Sequence, residues 1–282
     1  MTERLKFGLV GYNVQYSRSP EIFQAIFDVT KTVGEFEIYS LPITEFHQCF
    51  DELVNSGIDA LSVTTPYKME VVRHMDQMGE IAGAIGAVNS IHAQDGKLTG
   101  YNTDSHGFAS GLRPFAERLP HAKALVLGCG GAARAVAYGL IHDFDIASVT
   151  VAGRNTDKLA GLRRAMTPCL GETALTMVAF TDLADIRDPS GFELIVNCTP
   201  VGGGNMKDAS PLPDNFPWPS GKIYYDLNYG HEIPAMTQAH DAGLSTIDGR
   251  IMLVAQAIKS FELWTGRTVA FEPVYEKVFG AQ

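Results

Sequence analysis

The stretch AKALVLGCGGAARAVAYGL, residues 122–140, reads as a strand that passes through a glycine turn into a helix. Gly128, Gly130 and Ala133 fit the spacing GxGxxA. In that pattern the first glycine permits a sharp turn, and the second lets backbone N–H groups reach a pyrophosphate. The small third residue lets helix pack closely on strand. Gly131 and Ala132 lie between them, at a helix N-terminus whose dipole favours an anion. A glycine turn alone is weak evidence for a nucleotide; a strand before it and a helix after it are what the motif requires.

The next strand pattern, SVTVAGRN, ends in Gly153, Arg154 and Asn155. A site for NAD places an acidic residue there, about 20 residues on, to bond the ribose hydroxyls. With no carboxylate to repel it, a 2′-phosphate can be clamped by Arg154 beside Asn155, and Lys158 lies one helical turn further on the same face. The cofactor expected is NADP, whereas Arg163 and Arg164 read as a solvated helix face. Further apolar runs, ALTMVAF, ELIVNCTP and KIYYDLNY, continue the alternation of strand and helix, and residues 202–221, rich in Gly, Pro, Asn and Asp, form the least regular segment.

Upstream, FGLVGY, SPEIFQAIFDVT, FEIYSLPI, FHQCFDELVNSG and ALSVTTP follow βαβαβ order, which implies a parallel sheet covered by helices. YKMEVVRHMDQMG continues as a helical pattern. VNSIHAQ and KLTGYN then flank Asp95-Gly96, a two-residue hairpin signal, so an antiparallel addition is expected. The last long helical pattern, RIMLVAQAIKSFELWTG, precedes no strand and is expected to fold back onto the first domain. The fold class is therefore α/β with two domains: residues 1–104 with 249–282 as a substrate domain, and 105–248 as a Rossmann-like nucleotide domain.

At 282 residues the chain exceeds what one core usually supports. Hydrophobic residues at 45% and charged residues at 19% exclude a disordered chain, and a net charge of −10 opposes binding to nucleic acid or an anionic membrane. The most apolar run, Ala124 to Ile141, is broken by glycines and Arg134, and the opening MTERLKFGLVG lacks the pattern of a signal peptide. Four cysteines without CxxC pairing suit a reducing compartment, so the cytoplasm is expected. The histidines are scattered and no metal is expected.

Lys68 stands just past Pro66 at the carboxyl end of a strand, where α/β sheets bind ligands, and Asp104 ends another extended run in GYNTDSHGF. A lysine and a carboxylate converging on an interdomain cleft would form a proton-transfer pair, because hydride transfer at a carbinol carbon also moves the hydroxyl proton. For either residue alone, a surface charge or a helix cap is the commoner role. Ser19 before Pro20 also suits a helix N-cap.

Order and wording together resemble the shikimate dehydrogenase family over nearly the whole chain. GYNVQYSRSPEIF is similar to that family's entrance motif, SVTTPYK to its Asn-Val-Thr-x-Pro-x-Lys, and IGAVNS with GYNTDSHGF to its GAVNT and NTDxxGF. GCGGAARA resembles its cofactor loop, NCTPVGG a second nucleotide-side loop, YDLNY a substrate tyrosine segment and GRIMLVAQA its C-terminal helix. The resemblance implies an NADP-dependent enzyme of aromatic amino acid biosynthesis that interconverts 3-dehydroshikimate and shikimate. It makes Lys68 the proton-transfer group and Asp104 its partner. It gives the ring carboxylate to Ser17 and Ser19, the ring hydroxyls to Thr64, Asn89, Asp104 and Gln256, and a contact to Tyr229. It puts Thr199 on the nucleotide side. Ser62 stands where the family has asparagine, Ser90 replaces threonine, and Asn13 to Gln15 and NCTPVGGGN also depart. Ser62 keeps open a paralogue acting on quinate or aminoshikimate, and a non-catalytic nucleotide-binding regulator is a third reading. The partner expected is a small molecule, with the chain a monomer or homodimer.

Overall fold

The structure, a computed structural model, describes residues 4–185, 188–230 and 232–280, with backbone alone at 184 and 185. It divides into two compact units, Met1–Asp104 with Val254–Gln282, and Ser105–Leu253.

In the first unit, strands β1 (Leu5–Gly11), β2 (Gly34–Ser40), β3 (Ala60–Val63), β4 (Gln77–Met78), β5 (Ser90–Gln94) and β6 (Lys97–Tyr101) form one sheet in the order β2-β1-β3-β5-β6-β4. β1, β2 and β3 run parallel. β5 enters antiparallel to β3, and β6 returns antiparallel to β5. Asp95 and Gly96 both have positive φ, 51° and 72°, the backbone that a two-residue turn between right-twisted strands demands.

Helices α1 (Ser19–Thr30), α2 (Phe46–Asn55) and α3 (Glu80–Ile85) lie between these strands in sequence. Phe46 and Phe50 of α2 pack with Val10, Leu61, Val63, Tyr67 and Val88 in one buried cluster. A second group is aromatic. Phe7 of β1 meets Phe23 and Phe27 of α1 at ring-centroid distances of 6.2 and 5.8 Å, and meets Phe261 and Trp264 at 6.3 and 5.0 Å. Those last two residues belong to α8 (Arg250–Thr265), so the late helix does fold back onto the first sheet.

Two local expectations are corrected. Residues 67–79 are not one helix: a 3-10 helix spans Glu70–His74, and the backbone then pairs with β6 through Asp76 N–H to Leu98 O and Gly79 N–H to Gly100 O, both 2.9 Å. Those partners take the groups a helix would need. Ser19 does not cap α1, whose N-cap residue is Arg18; the Ser19 N–H instead donates to Ser17 Oγ at 3.2 Å. FEPVYEKVF forms a further C-terminal helix, α9 (Phe271–Phe279), with Val274 and Tyr275 buried.

A histidine relay ties α2 to the 3-10 turn after Lys68. His47 Nδ1 and His74 Nε2 lie 2.8 Å apart, and His74 Nδ1 lies 2.9 Å from Asp51 Oδ1. Burial, then the charges of Arg73 and His74, hold His47 below the usual imidazole range against the pull of Glu70 and Asp51; burial does the same to His92. A histidine depressed in the folded state takes its proton more readily unfolded. Its neutral form therefore supports the fold above about pH 6.5, and that support is lost as pH falls further. Thermal unfolding between pH 7.5 and 5.5 should show Tm falling toward acid, with a shallower fall in His47→Gln. A flat profile in the wild type contradicts this.

The second unit opens with α4 (Asp104–Leu112), which starts at the last residue of the first, and contains a wholly parallel sheet. Its strands are β7 (Lys123–Leu127), β8 (Ser148–Gly153), β9 (Ala174–Ala179), β10 (Leu194–Asn197), β11 (Ile223–Asp226) and β12 (Ser245–Ile247), ordered β12-β11-β10-β7-β8-β9. α5 (Gly131–Phe144), α6 (Thr156–Met166) and α7 (Pro234–Asp241) alternate with them. The order reverses at β7 and β10, the switch point outside which doubly wound sheets bind ligands. β12 was not read as a strand; only three residues pair there. Residues 202–221 carry one short 3-10 helix, Gly204–Met206. Among the described residues no helix is long and apolar enough to cross a membrane.

Candidate functional site

In the first unit Tyr67 sets the stage for Lys68. Its ring is fully buried and stacked on Phe46 at 3.9 Å, and its hydroxyl donates to Leu41 O at 2.6 Å. With Tyr67 so anchored and Lys68 O accepting Val88 N–H at 2.7 Å, the backbone of Lys68 is fixed. Its Nζ lies 2.5 Å from Asp104 Oδ2. The side chains are 15% and 5% exposed, so the pair is largely shielded from water.

Asp104 is held from its other side. Asn89 Nδ2 donates to Asp104 Oδ1 at 3.0 Å and lies 2.9 Å from Thr103 Oγ1 and 3.3 Å from Gln256 Oε1. Asn89 Oδ1 accepts Thr103 N–H at 2.7 Å, and the Thr103 and Ser260 hydroxyls meet at 3.0 Å. Asn102 steadies the approach by donating to Ala87 O at 3.0 Å. Lys68, Asp104, Asn89 and Gln256 are thus one hydrogen-bonded chain. A buried carboxylate is costly unless paired, and here an ammonium and an amide meet its two oxygens. An ammonium carries three N–H donors, and the pairing directs one at Asp104.

Ser17 and Ser19 form their own pair, hydroxyl to hydroxyl at 3.0 Å. Thr64 follows β3, bound by its N–H to Val10 O at 2.9 Å. Ser62 pairs across the sheet with Ser90; both are buried, and among the described residues their hydroxyls have no hydrogen-bond partner.

In the second unit Gly128 follows β7 with φ of 112°, a conformation that side chains disfavour, and a Cβ there would lie 3.2 Å from the Cys198 carbonyl carbon and 3.3 Å from Thr199 Cγ2. The loops after β7 and β10 therefore touch at the switch point. Gly130 is the N-cap residue of α5, and a Cβ on it would meet open space among the described residues. Backbone with that access, ahead of the first-turn N–H groups of Gly131, Ala132 and Ala133, which lack acceptors within the helix, is shaped to receive an anion. Ala133 is fully buried, the close packing the motif anticipates.

At the end of β8 a Cβ on Gly153 would lie 2.7 Å from Cys129 Sγ, so a carboxylate side chain does not fit where a site for NAD needs one. Arg154 and Lys158 are exposed. Asn155 caps α6, accepting Lys158 N–H on Oδ1 at 2.8 Å. Tyr229 is half-buried after β11.

Sequence reasoning passed over Asn197, Asp226 and Asn228, which interlock the loops after β10 and β11. Asn197 and Asp226 are fully buried. The only signal in the sequence was polar residues closing two apolar strands.

Residues 9–91 match the family model described as the shikimate dehydrogenase substrate binding domain, and residues 252–279 match the shikimate 5'-dehydrogenase C-terminal domain. The chain is 35% identical to a shikimate dehydrogenase (NADP(+)) of Chlorobaculum tepidum over 98% of this chain and 95% of the relative. It is 36% identical to one of Chlorobium chlorochromatii over 96% and 95%. Among solved structures, shikimate dehydrogenase from Aquifex aeolicus superposes with a TM-score of 0.84 at 27% identity, covering 98% of each chain. Shikimate 5-dehydrogenase from Thermus thermophilus in complex with NADP(H) and shikimate gives 0.78 at 29%, covering 97% of this chain and 98% of that one.

Proposed function

Because the chain belongs to the shikimate dehydrogenase family, we propose that Lys68 and Asp104 carry the proton half of its reaction, the NADP-dependent interconversion of 3-dehydroshikimate and shikimate. The observation that carries the assignment is the shielded Lys68–Asp104 contact at 2.5 Å, braced by Asn89. Shikimate and NADP+ give 3-dehydroshikimate, NADPH and a proton, so the carbinol must lose a proton as well as a hydride. Bound NADP supplies the hydride acceptor or donor. Lys68 exchanges the proton with the oxygen that is hydroxyl in shikimate and ketone in the product, and Asp104 orients both.

Ser17 and Ser19 then take the ring carboxylate, for which paired hydroxyl donors are suited. Thr64, Asn89 and Gln256 address ring hydroxyls, with Ser62 behind them, and Tyr229 is assigned a substrate contact. Gly128, Gly130, Gly131, Ala132 and Ala133 offer backbone to the pyrophosphate and Thr199 borders it. Arg154 and Lys158 meet the 2′-phosphate, while Asn155 holds the turn that presents them. The four cysteines form no disulfide among the described residues, in keeping with a cytoplasmic setting.

Initial rates with shikimate and quinate, each against NADP+ and NAD+, test this reading. Shikimate should give the higher kcat/KM, and NADP+ should be preferred. Arg154→Ala should narrow the cofactor ratio by about ten- to a hundredfold, the worth of charge-assisted bonds of 1.5–3 kcal/mol. Ser17→Ala with Ser19→Ala should mainly raise KM, because carboxylate bonds serve ground and transition states alike. Equal use of NAD+, or a ratio untouched by Arg154→Ala, removes the clamp assignment. Faster turnover of quinate reassigns the substrate.

A further inference from the structure

We infer that Asp226 is a positioning residue for the cofactor side of the reaction, holding the loop 199–203 in the shape that NADP meets. This rests on the reading of Thr199 and its loop as bordering the nucleotide. Asp226 closes β11 directly beside Asn197, which closes β10, and both are fully buried. The carboxylate accepts four hydrogen bonds. Oδ2 receives Asn197 Nδ2 at 2.9 Å and the Tyr224 hydroxyl at 2.8 Å; Oδ1 receives Asn228 N–H at 2.9 Å and Asn228 Nδ2 at 2.7 Å.

The two amides that Asp226 orients are the groups that shape the loop. Asn197 Oδ1 accepts the N–H and the hydroxyl of Thr199, at 3.0 and 2.7 Å, and Asn197 Nδ2 also donates to Val201 O at 2.9 Å. Asn228 Nδ2 lies 3.2 Å from Thr199 O and 3.1 Å from Val201 O. Gly203 passes so close to Asn228 that a Cβ would strike the amide. An amide has two equivalent-looking ends, and a neighbour that can only accept dictates that the Nδ2 end faces it. By presenting two acceptors, Asp226 turns both Nδ2 groups inward, and this sends Asn197 Oδ1 toward Thr199. Burial pushes the Asp226 carboxyl above its usual range, against the pull of the four donors, so the group is kept at a cost that apolar packing would avoid.

Asp226→Asn replaces one acceptor oxygen by a donor and leaves volume unchanged. The dissociation constant for NADP+ alone, measured by calorimetry, should rise about tenfold or more, with KM for shikimate within about threefold of wild type. A weakened NADP+ affinity beside an unmoved KM for shikimate is a split that a general loss of structure would not produce. An unchanged NADP+ affinity in folded Asp226→Asn overturns the inference, as does a rise in KM for shikimate that matches the loss of NADP+ affinity. If Asp226→Asn does not fold, Asn228→Ala, which removes the contacts to Thr199 O and Val201 O from a half-buried position, must weaken NADP+ by about threefold; no change there overturns the inference equally. Thr199→Ala separates the two levels. If it weakens NADP+ while Asp226→Asn does not, the loop still borders the nucleotide and the role of Asp226 alone is rejected. If neither variant changes the affinity, the reading of the loop falls with it.

Discussion

Replacing Lys68 with alanine is expected to lower kcat by about 10²–10⁴, the usual worth of a positioned acid–base group, with a much smaller change in KM. Lys68 is 15% exposed and its ammonium faces Asp104, so its removal leaves a buried carboxylate without its ammonium partner, still bonded by Asn89. Stability should fall as well, and circular dichroism must confirm folding before rates are compared. Asp104→Ala should slow the enzyme through the same proton, because the lysine then loses the group that aims it. Residues that act as one unit are non-additive, so the double variant should cost little more than the worse single one. Two fully additive losses would show that the pair does not act together. A folded Lys68→Ala enzyme with near-normal kcat would move proton transfer to another group.

The second large effect lies in the core. Phe261→Ala should destabilise the protein by about 3–5 kcal/mol in chemical denaturation, the range for deleting a buried aromatic ring. Phe261 is fully buried, with Phe7 of β1 and Phe27 of α1 at 6.3 and 6.4 Å. The preceding residue, Ser260, is bonded to Thr103, and Gln256 lies one turn earlier on α8 beside Asn89. Loosening the helix therefore loosens that end of the hydrogen-bonded chain, and KM for shikimate should rise alongside the lost stability. A loss below about 1 kcal/mol would mean that the neighbouring rings close the gap.

What could be read from the sequence followed from how local the cause is. The glycine turn after β7 and the Asp95-Gly96 hairpin were legible because backbone conformation decides them, and glycine or aspartate at a positive φ is a local matter. Lys68 and Asp104 were legible as types at strand ends; their contact depends on Asn89, Thr103 and Ser260, which come together only in the folded unit. Residues 67–79 carry helical periodicity, yet β6 captured their backbone, a competition the segment's own sequence cannot show. Ser19 looked like a cap because of Pro20, whereas Ser17 receives its N–H. The network around Asp226 was invisible for the same reason: its members lie 29 positions apart and are joined by strand register.

The first unit is built from two lengths of chain with the whole of the second unit between them. On the ribosome, the earlier of those two lengths is therefore made before the second unit and completed only after it. β1 and α1 emerge early, but Phe7 and Phe23 must wait for Trp264, and that aromatic face stays uncovered while the second unit, a single continuous segment, can already close its own sheet. Gln256 and Ser260 arrive only on the helix that finally covers that face.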